Sequence, residues 1–206
     1  MKLLFAFLTI AMCISCKKET IDFPQDLYLS KITASTDVRL FINKIEIFDK
    51  PTIDRFISQA TIFNLQNQLI DPSTKMAFPS KDTVIFGSST SKYGVNLNGN
   101  QFLFTSPAYL VSILLIPSGI MLFPEKITPI PGIGYAVNET RVGYGDFTNL
   151  KISLFSYKLL RRNMSSGNYE SLSATLYNEF NQPFINALGA TDTLAIQEFK
   201  LSFNEK

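Results

Sequence analysis

One hairpin signal constrains this chain more than any other feature. Residues 92–104 hold two apolar-alternating runs around Asn98-Gly99, a pair suited to the central positions of a two-residue type I′ turn, which need positive φ. That turn would set Leu97 opposite Asn100, Val95 opposite Phe102 and Tyr93 opposite Phe104, branched and aromatic pairs of the kind that stabilise sheets. The same period of two recurs elsewhere. Val38, Leu40 and Ile42 alternate with Arg39 and Asn43, and the phase slips at Asn43-Lys44 before Ile45 and Ile47 resume. The slip predicts a bulge or a tight hairpin. Strands are expected at Leu27-Tyr28-Leu29 and over residues 83–87, 135–144, 150–160 and 193–203, the last with Phe199, Leu201 and Phe203 on one face. A change of phase between Leu154 and Phe155 predicts a second bulge. Residues 171–179 read as a weaker strand or a short helix, and 71–81 as a polar loop.

Helix signals are sparse. Asp49 followed by Pro51 offers an N-cap and a first-turn proline, predicting one short helix over residues 51–58 that buries Ile53, Phe56 and Ile57. Residues 108–123 are the most apolar stretch beyond the N-terminus, but length, Pro117 and Gly119 exclude a spanning helix. Two strands around residues 117–119 are expected there, buried in the core or lining an apolar cavity. Nine or ten short strands and one helix define an all-β single domain. It is a single antiparallel meander barrel of lipocalin-like architecture or a β-sandwich. Closure favours the barrel, because it removes exposed edges from a chain with 18 phenylalanines.

The N-terminus has a different logic. Lys2 precedes an apolar run over residues 3–12, and the segment closes on Cys13-Ile14-Ser15-Cys16 followed by Lys17-Lys18-Glu19. This is the layout of a secretory signal peptide over residues 1–15. Ile14-Ser15-Cys16 resembles the lipobox of bacterial lipoproteins, with Cys13 where leucine is usual. The charged continuation resembles lipoproteins of the Bacteroidota, in which such a stretch is associated with export to the cell surface. The resemblance implies acylation of Cys16 and residence at the outer membrane of the cell envelope, facing the periplasm or the surface. Residues 16–26 then form a tether and residues 27–206 the domain. More than one acyl chain gives stable anchoring without a spanning helix.

Composition closes several chemistries. The chain has no histidine and no tryptophan, and its two cysteines, Cys13 and Cys16, are consumed by processing and acylation. Histidine-based triads, histidine-bearing zinc sites, thiol nucleophiles and disulfides are thereby excluded, and no cofactor or metal is expected. Carboxylate, tyrosine, lysine and serine–lysine chemistry remain. The 19 basic side chains, one of them lost with the signal peptide, nearly balance 17 acidic ones, which argues against a nucleic-acid partner. The candidate ligand-site residues are Tyr144 and Asp146, in Gly143-Tyr144-Gly145-Asp146-Phe147, together with Arg161 and Arg162. Glycines allow close backbone approach to a ligand. Lys158, Arg161 and Arg162, with Arg141 expected near, form a basic group suited to a phosphate or a carboxylated sugar. The expectation is a membrane-anchored, non-catalytic binding or interaction module whose partner is a small hydrophobic ligand, a glycan or an envelope protein. The alternatives are a histidine-free hydrolase with paired carboxylates and a structural envelope component.

Overall fold

The computed structural model describes residues 21–58, 74–112, 127–131, 134–162 and 167–206. Cys16 and the turn expected at residues 117–119 lie outside them. Among the described residues, fourteen strands and two short helices follow in chain order: β1 (Gln25–Ala34), β2 (Arg39–Ile42), β3 (Ile45–Ile47), α1 (Lys50–Ile57), β4 (Lys75–Ser80), β5 (Thr83–Phe86), β6 (Lys92–Asn98), β7 (Gln101–Thr105), β8 (Tyr109–Ser112), β9 (Ile127–Ile130), β10 (Gly134–Val137), β11 (Thr140–Gly145), β12 (Asn149–Arg162), β13 (Tyr169–Leu176), α2 (Gln182–Asn186) and β14 (Thr193–Asn204). Strands β1, β4, β5, β6, β7, β11, β12 and β14 pair in that order, and β14 pairs with both β12 and β1. The result is a closed antiparallel eight-stranded meander barrel. The excursions from the meander are β2–β3–α1, a three-stranded sheet β8-β10-β9, and β13–α2.

Two strands outgrow the barrel. The β12–β14 ladder runs unbroken from Asn149 opposite Asn204 to Leu160 opposite Thr193. In its lower half β12 is flanked by β11 and β14 by β1; in its upper half β13 and β2 take those places. The upper half is therefore a five-stranded extension, β13-β12-β14-β2-β3, rising from one end of the barrel. The opposite end, the floor, carries the start of β1 and the turns at residues 98–101 and 145–149.

The extension corrects the expected bulge at Leu154-Phe155. Leu150, Ile152 and Leu154 bury into the barrel, whereas Phe155, Tyr157 and Leu159 bury on the opposite face, under Phe180, Phe184 and Leu188. β14 does the same: Phe199, Leu201 and Phe203 face the barrel, Leu194 and Ile196 the second core. The phase changes because the buried face changes, with no residue inserted into the ladder.

Other expectations fare variously. The tight hairpin at Asn43-Lys44 is present, with φ of 51° and 67° at the two turn residues and Ile42 opposite Ile45. The hairpin at residues 92–104 exists, but its turn is centred on Gly99-Asn100. Asn98 faces Gln101 and Val95 faces Phe104, and only Gly99 has positive φ, at 61°, as a type II′ turn requires. The slip moves each partner by two positions, so every side chain keeps its face. The polar loop expected at 71–81 contains β4, whose Met76 and Phe78 are fully buried. The strand expected at 135–144 is two strands in different sheets, β10 and β11. Residues 171–179 fall in β13 and the loop beyond it. Asp49 caps α1 through the Thr52 amide, 3.0 Å away, yet Ile53, Phe56 and Ile57 are only half-buried. In the described part of 108–123, Leu110 is 65% exposed, so core burial fails there. Residues 23–26, expected outside the domain, belong to it: β1 begins at Gln25 and Phe23 already packs on the core.

Candidate functional site

The barrel interior is filled. Leu27, Met76, Phe78, Val84, Phe102, Phe104 and Leu150 have no exposed surface. Phe102 and Phe104 stack at 5.7 Å, and Phe147 meets Phe78 and Phe102 edge-on at 5.2 and 5.1 Å. Gly143 faces this packing, and a Cβ there would lie 2.8 Å from Ile152 Cδ1 and 3.2 Å from Phe104. An interior so tight that one inward position must be glycine leaves no room for a carried ligand at that level.

At the end from which the extension rises, β11 stops pairing with β12 and β13 begins, and polar groups collect at this parting. On the inner side, the Arg141 guanidinium carbon lies 4.2 Å from the Phe86 ring centroid, 4.7 Å from Tyr93 and 4.4 Å from Tyr177. Its Nη2 donates to the Tyr93 hydroxyl at 3.1 Å and lies 3.7 Å from Glu139. The Tyr93 hydroxyl in turn donates to Glu139 at 3.0 Å. Burial pushes the Tyr93 phenol above its ordinary pKa, against the pull of Arg141. Arg141 Nε is buried without a hydrogen-bond partner among the described residues. Three aromatic faces carry the charge instead, an arrangement worth about 2 kcal/mol when desolvated. This cage caps the upper end of the barrel.

On the outer side of the same parting, Lys200 Nζ donates to Ser153 Oγ at 2.5 Å, and Ser153 donates to Glu179 Oε1 at 3.3 Å. Tyr144 donates to Glu179 Oε2 at 3.1 Å and accepts from Gln101 at 3.2 Å. Lys200 completes the ring, 3.6 Å from Glu179 and 5.5 Å from the Tyr144 ring. Burial raises the Tyr144 phenol pKa. A serine–lysine pair is among the chemistries open to a histidine-free chain, and here such a pair stands at hydrogen-bonding distance. A serine nucleophile, however, needs a base that accepts its proton. Lys200 donates into the hydroxyl and is paired with Glu179, and Ser153 is only 3% exposed. The cluster braces the strand parting; it does not offer a nucleophile.

The candidate residues do not converge. Tyr144 belongs to the outer network. Asp146 accepts from the Thr148 amide and hydroxyl and the Asn149 amide at 2.8, 2.7 and 2.8 Å. It is a turn aspartate serving its own backbone, with its carboxyl held below the usual range first by the Thr148 hydroxyl. Gly145 is required by the same turn: its φ is 136°, and a Cβ would lie 2.0 Å from the Asn149 carbonyl oxygen. Arg161 donates through Nε and Nη2 to Asp192 at 2.9 and 2.5 Å, a pair only 16% and 3% exposed. Arg162 donates to the Gly167 carbonyl at 3.3 Å, and Lys158 lies over the Phe56 ring. The expected basic group is thus dispersed. Extending the β11–β12 register beyond its last pair, Gly143 opposite Ile152, sets Arg141 level with Leu154, and Arg161 lies seven positions, about 23 Å, farther along the strand.

Glu46 and Glu198 are the described carboxylates that share a partner, and both are held by Arg39, at 2.7 and 3.8 Å. That geometry neutralises charge and does not flank a scissile bond. Among the described residues no group of three His, Cys, Asp or Glu side chains is placed to hold a metal ion. The exposed large aromatics among the described residues are dispersed: Phe48, at 83%, is in the loop after β3, Tyr109 on β8 and Tyr169 on β13.

Ser153, Lys200 and Glu179 were invisible as a group in the sequence. They lie 21 to 47 positions apart, and no local spacing links them. The fold defines a closed meander barrel with a sheet extension. Comparison with known proteins finds no family model, no curated protein and no solved structure that matches this chain.

Proposed function

We propose that this chain is a lipid-anchored, non-catalytic binding or interaction module of the cell envelope, held at the outer membrane through Cys16. The observation that carries the reading is the packed barrel interior, where Phe78, Phe104, Phe102 and Phe147 form a closed ring of contacts, each meeting two others. A barrel filled in this way has given its inside to stability, so recognition falls to its outer surface and its extension. Of the partner classes open to such a module, a glycan or an envelope protein fits that surface better than a small hydrophobic ligand. Among the described residues no helix is long and apolar enough to cross a membrane, and membrane residence rests on the Ile14-Ser15-Cys16 resemblance.

The test is Cys16→Ala in the full chain. Mass spectrometry of the native protein should show a chain beginning at Cys16 and carrying acyl groups, and the variant should lose them and leave the membrane fraction. A native chain that retains residues 1–15, or that carries no lipid, contradicts the anchor.

A further inference from the structure

Phe23 lies two residues ahead of β1, and its ring meets Phe147 edge-on at 5.1 Å. Phe147 closes the floor of the barrel against Phe78 and Phe102. Just beyond, the Gln25 amide donates to Glu205, and Lys75 pairs with Asp26 at 2.7 Å. The chain therefore leaves the domain at a fixed point on the floor. From Phe23 back to Cys16 is seven residues, at most about 25 Å fully extended. The 14 residues of β12 cover about 45 Å along the strand, and the usual barrel tilt leaves about 30 Å or more of axial height. The tether is shorter than the molecule is tall.

We propose that Phe23 is the pin that stands the barrel floor-down on a lipid surface, with the turns at residues 98–101 and 145–149 nearest the bilayer. The extension, with its edge strand β3 and the exposed Ile45 and Phe48, is then held away from lipid. The floor carries charges of both signs (Lys81, Asp82, Asp146, Glu205 and Lys206) and so supplies no electrostatic attraction that would fix the pose without the pin. This inference rests on the lipid-anchor reading and adds the orientation.

The chain suits a direct test, because an acylated Cys16 leaves no free thiol in the mature protein. Single cysteines at Asn100→Cys, on the floor, and Thr191→Cys, at the far end of the extension, would be labelled with a donor fluorophore. The lipidated full-length mature protein would be placed in phosphatidylcholine–phosphatidylglycerol vesicles containing a headgroup-labelled acceptor. Energy transfer should be strong at position 100 and weak at position 191, and Phe23→Ala, confirmed as folded by its melting transition, should narrow that gap. Equal or inverted transfer in the native background overturns the orientation. An unchanged gap in the Phe23→Ala background overturns the pin. Flotation of the same vesicles separates the readings: protein that does not float loses the anchor and the orientation with it, whereas protein that floats with equal transfer loses the orientation alone.

Discussion

The barrel and the extension share β12 and β14 but bury opposite faces of them. In the barrel the sheet closes, its core is surrounded by strands, and it is sealed by Phe147 on the floor and the Arg141 cage above. In the extension the sheet is open, and its second core is covered by the loop after β13 and the five-residue α2, through Phe180, Phe184 and Leu188. Closure satisfies every edge; an open sheet under a short cover does not. The barrel is therefore the stable body, and the extension is the part able to open or adapt at lower cost.

Phe104→Ala should have the largest effect, about 3–5 kcal/mol of global stability, read as a lower denaturation midpoint with barrel and extension unfolding together. Arg161→Met leaves the Asp192 carboxylate buried, accepting from the Gly189 amide at 2.8 Å but without its cation. About 3 kcal/mol should be lost, appearing first in the extension. Phe184→Ala should cost about 3 kcal/mol, at the low end of Phe-to-Ala substitutions because one flank can collapse. Amides of β12 at residues 155–160 should exchange tens of times faster while those at 150–154 hold their rates. Loss of protection along the whole strand would break the distinction between the two regions.

Asp146→Ala should have the smallest effect, about 1 kcal/mol, with a defined pH signature. Because the folded carboxyl titrates below its unfolded value near 3.9, its contribution is present above that pH and is lost as pH falls through the folded pKa. The stability difference between native and variant should disappear in acid. A difference that persisted there would assign the effect to packing.

Features carried by neighbouring residues were legible in the sequence. The cap of α1 by Asp49, the turn at Asn43-Lys44 and the strand faces around residues 92–104 follow from local chemistry. The exact turn at Gly99 was not, because Asn98-Gly99 and Gly99-Asn100 both suit two-residue turns of different type. The phase change in β12 is visible in the sequence but its cause is not, since alternation shows which face is apolar and not what lies against it. β4 was hidden by Pro79 and the polar residues before it, and α2 by its shortness. The Arg141 cage and the Ser153–Lys200 brace depend on partners tens of residues away, which only the closed topology brings together. For the same reason the basic residues grouped by sequence proximity, Lys158, Arg161 and Arg162, find separate partners.

Phe78, Phe102 and Phe104 of the barrel interior pack without exposed surface, and the proposed function therefore sets recognition outside the barrel. Titration of the mature domain with a small apolar fluorophore, followed by its emission and by competition with a fatty acid, tests this directly. The native protein should show no saturable site, and a new one should appear when Phe104→Ala opens a cavity. Saturable, fatty-acid-displaceable binding to the native protein would contradict it.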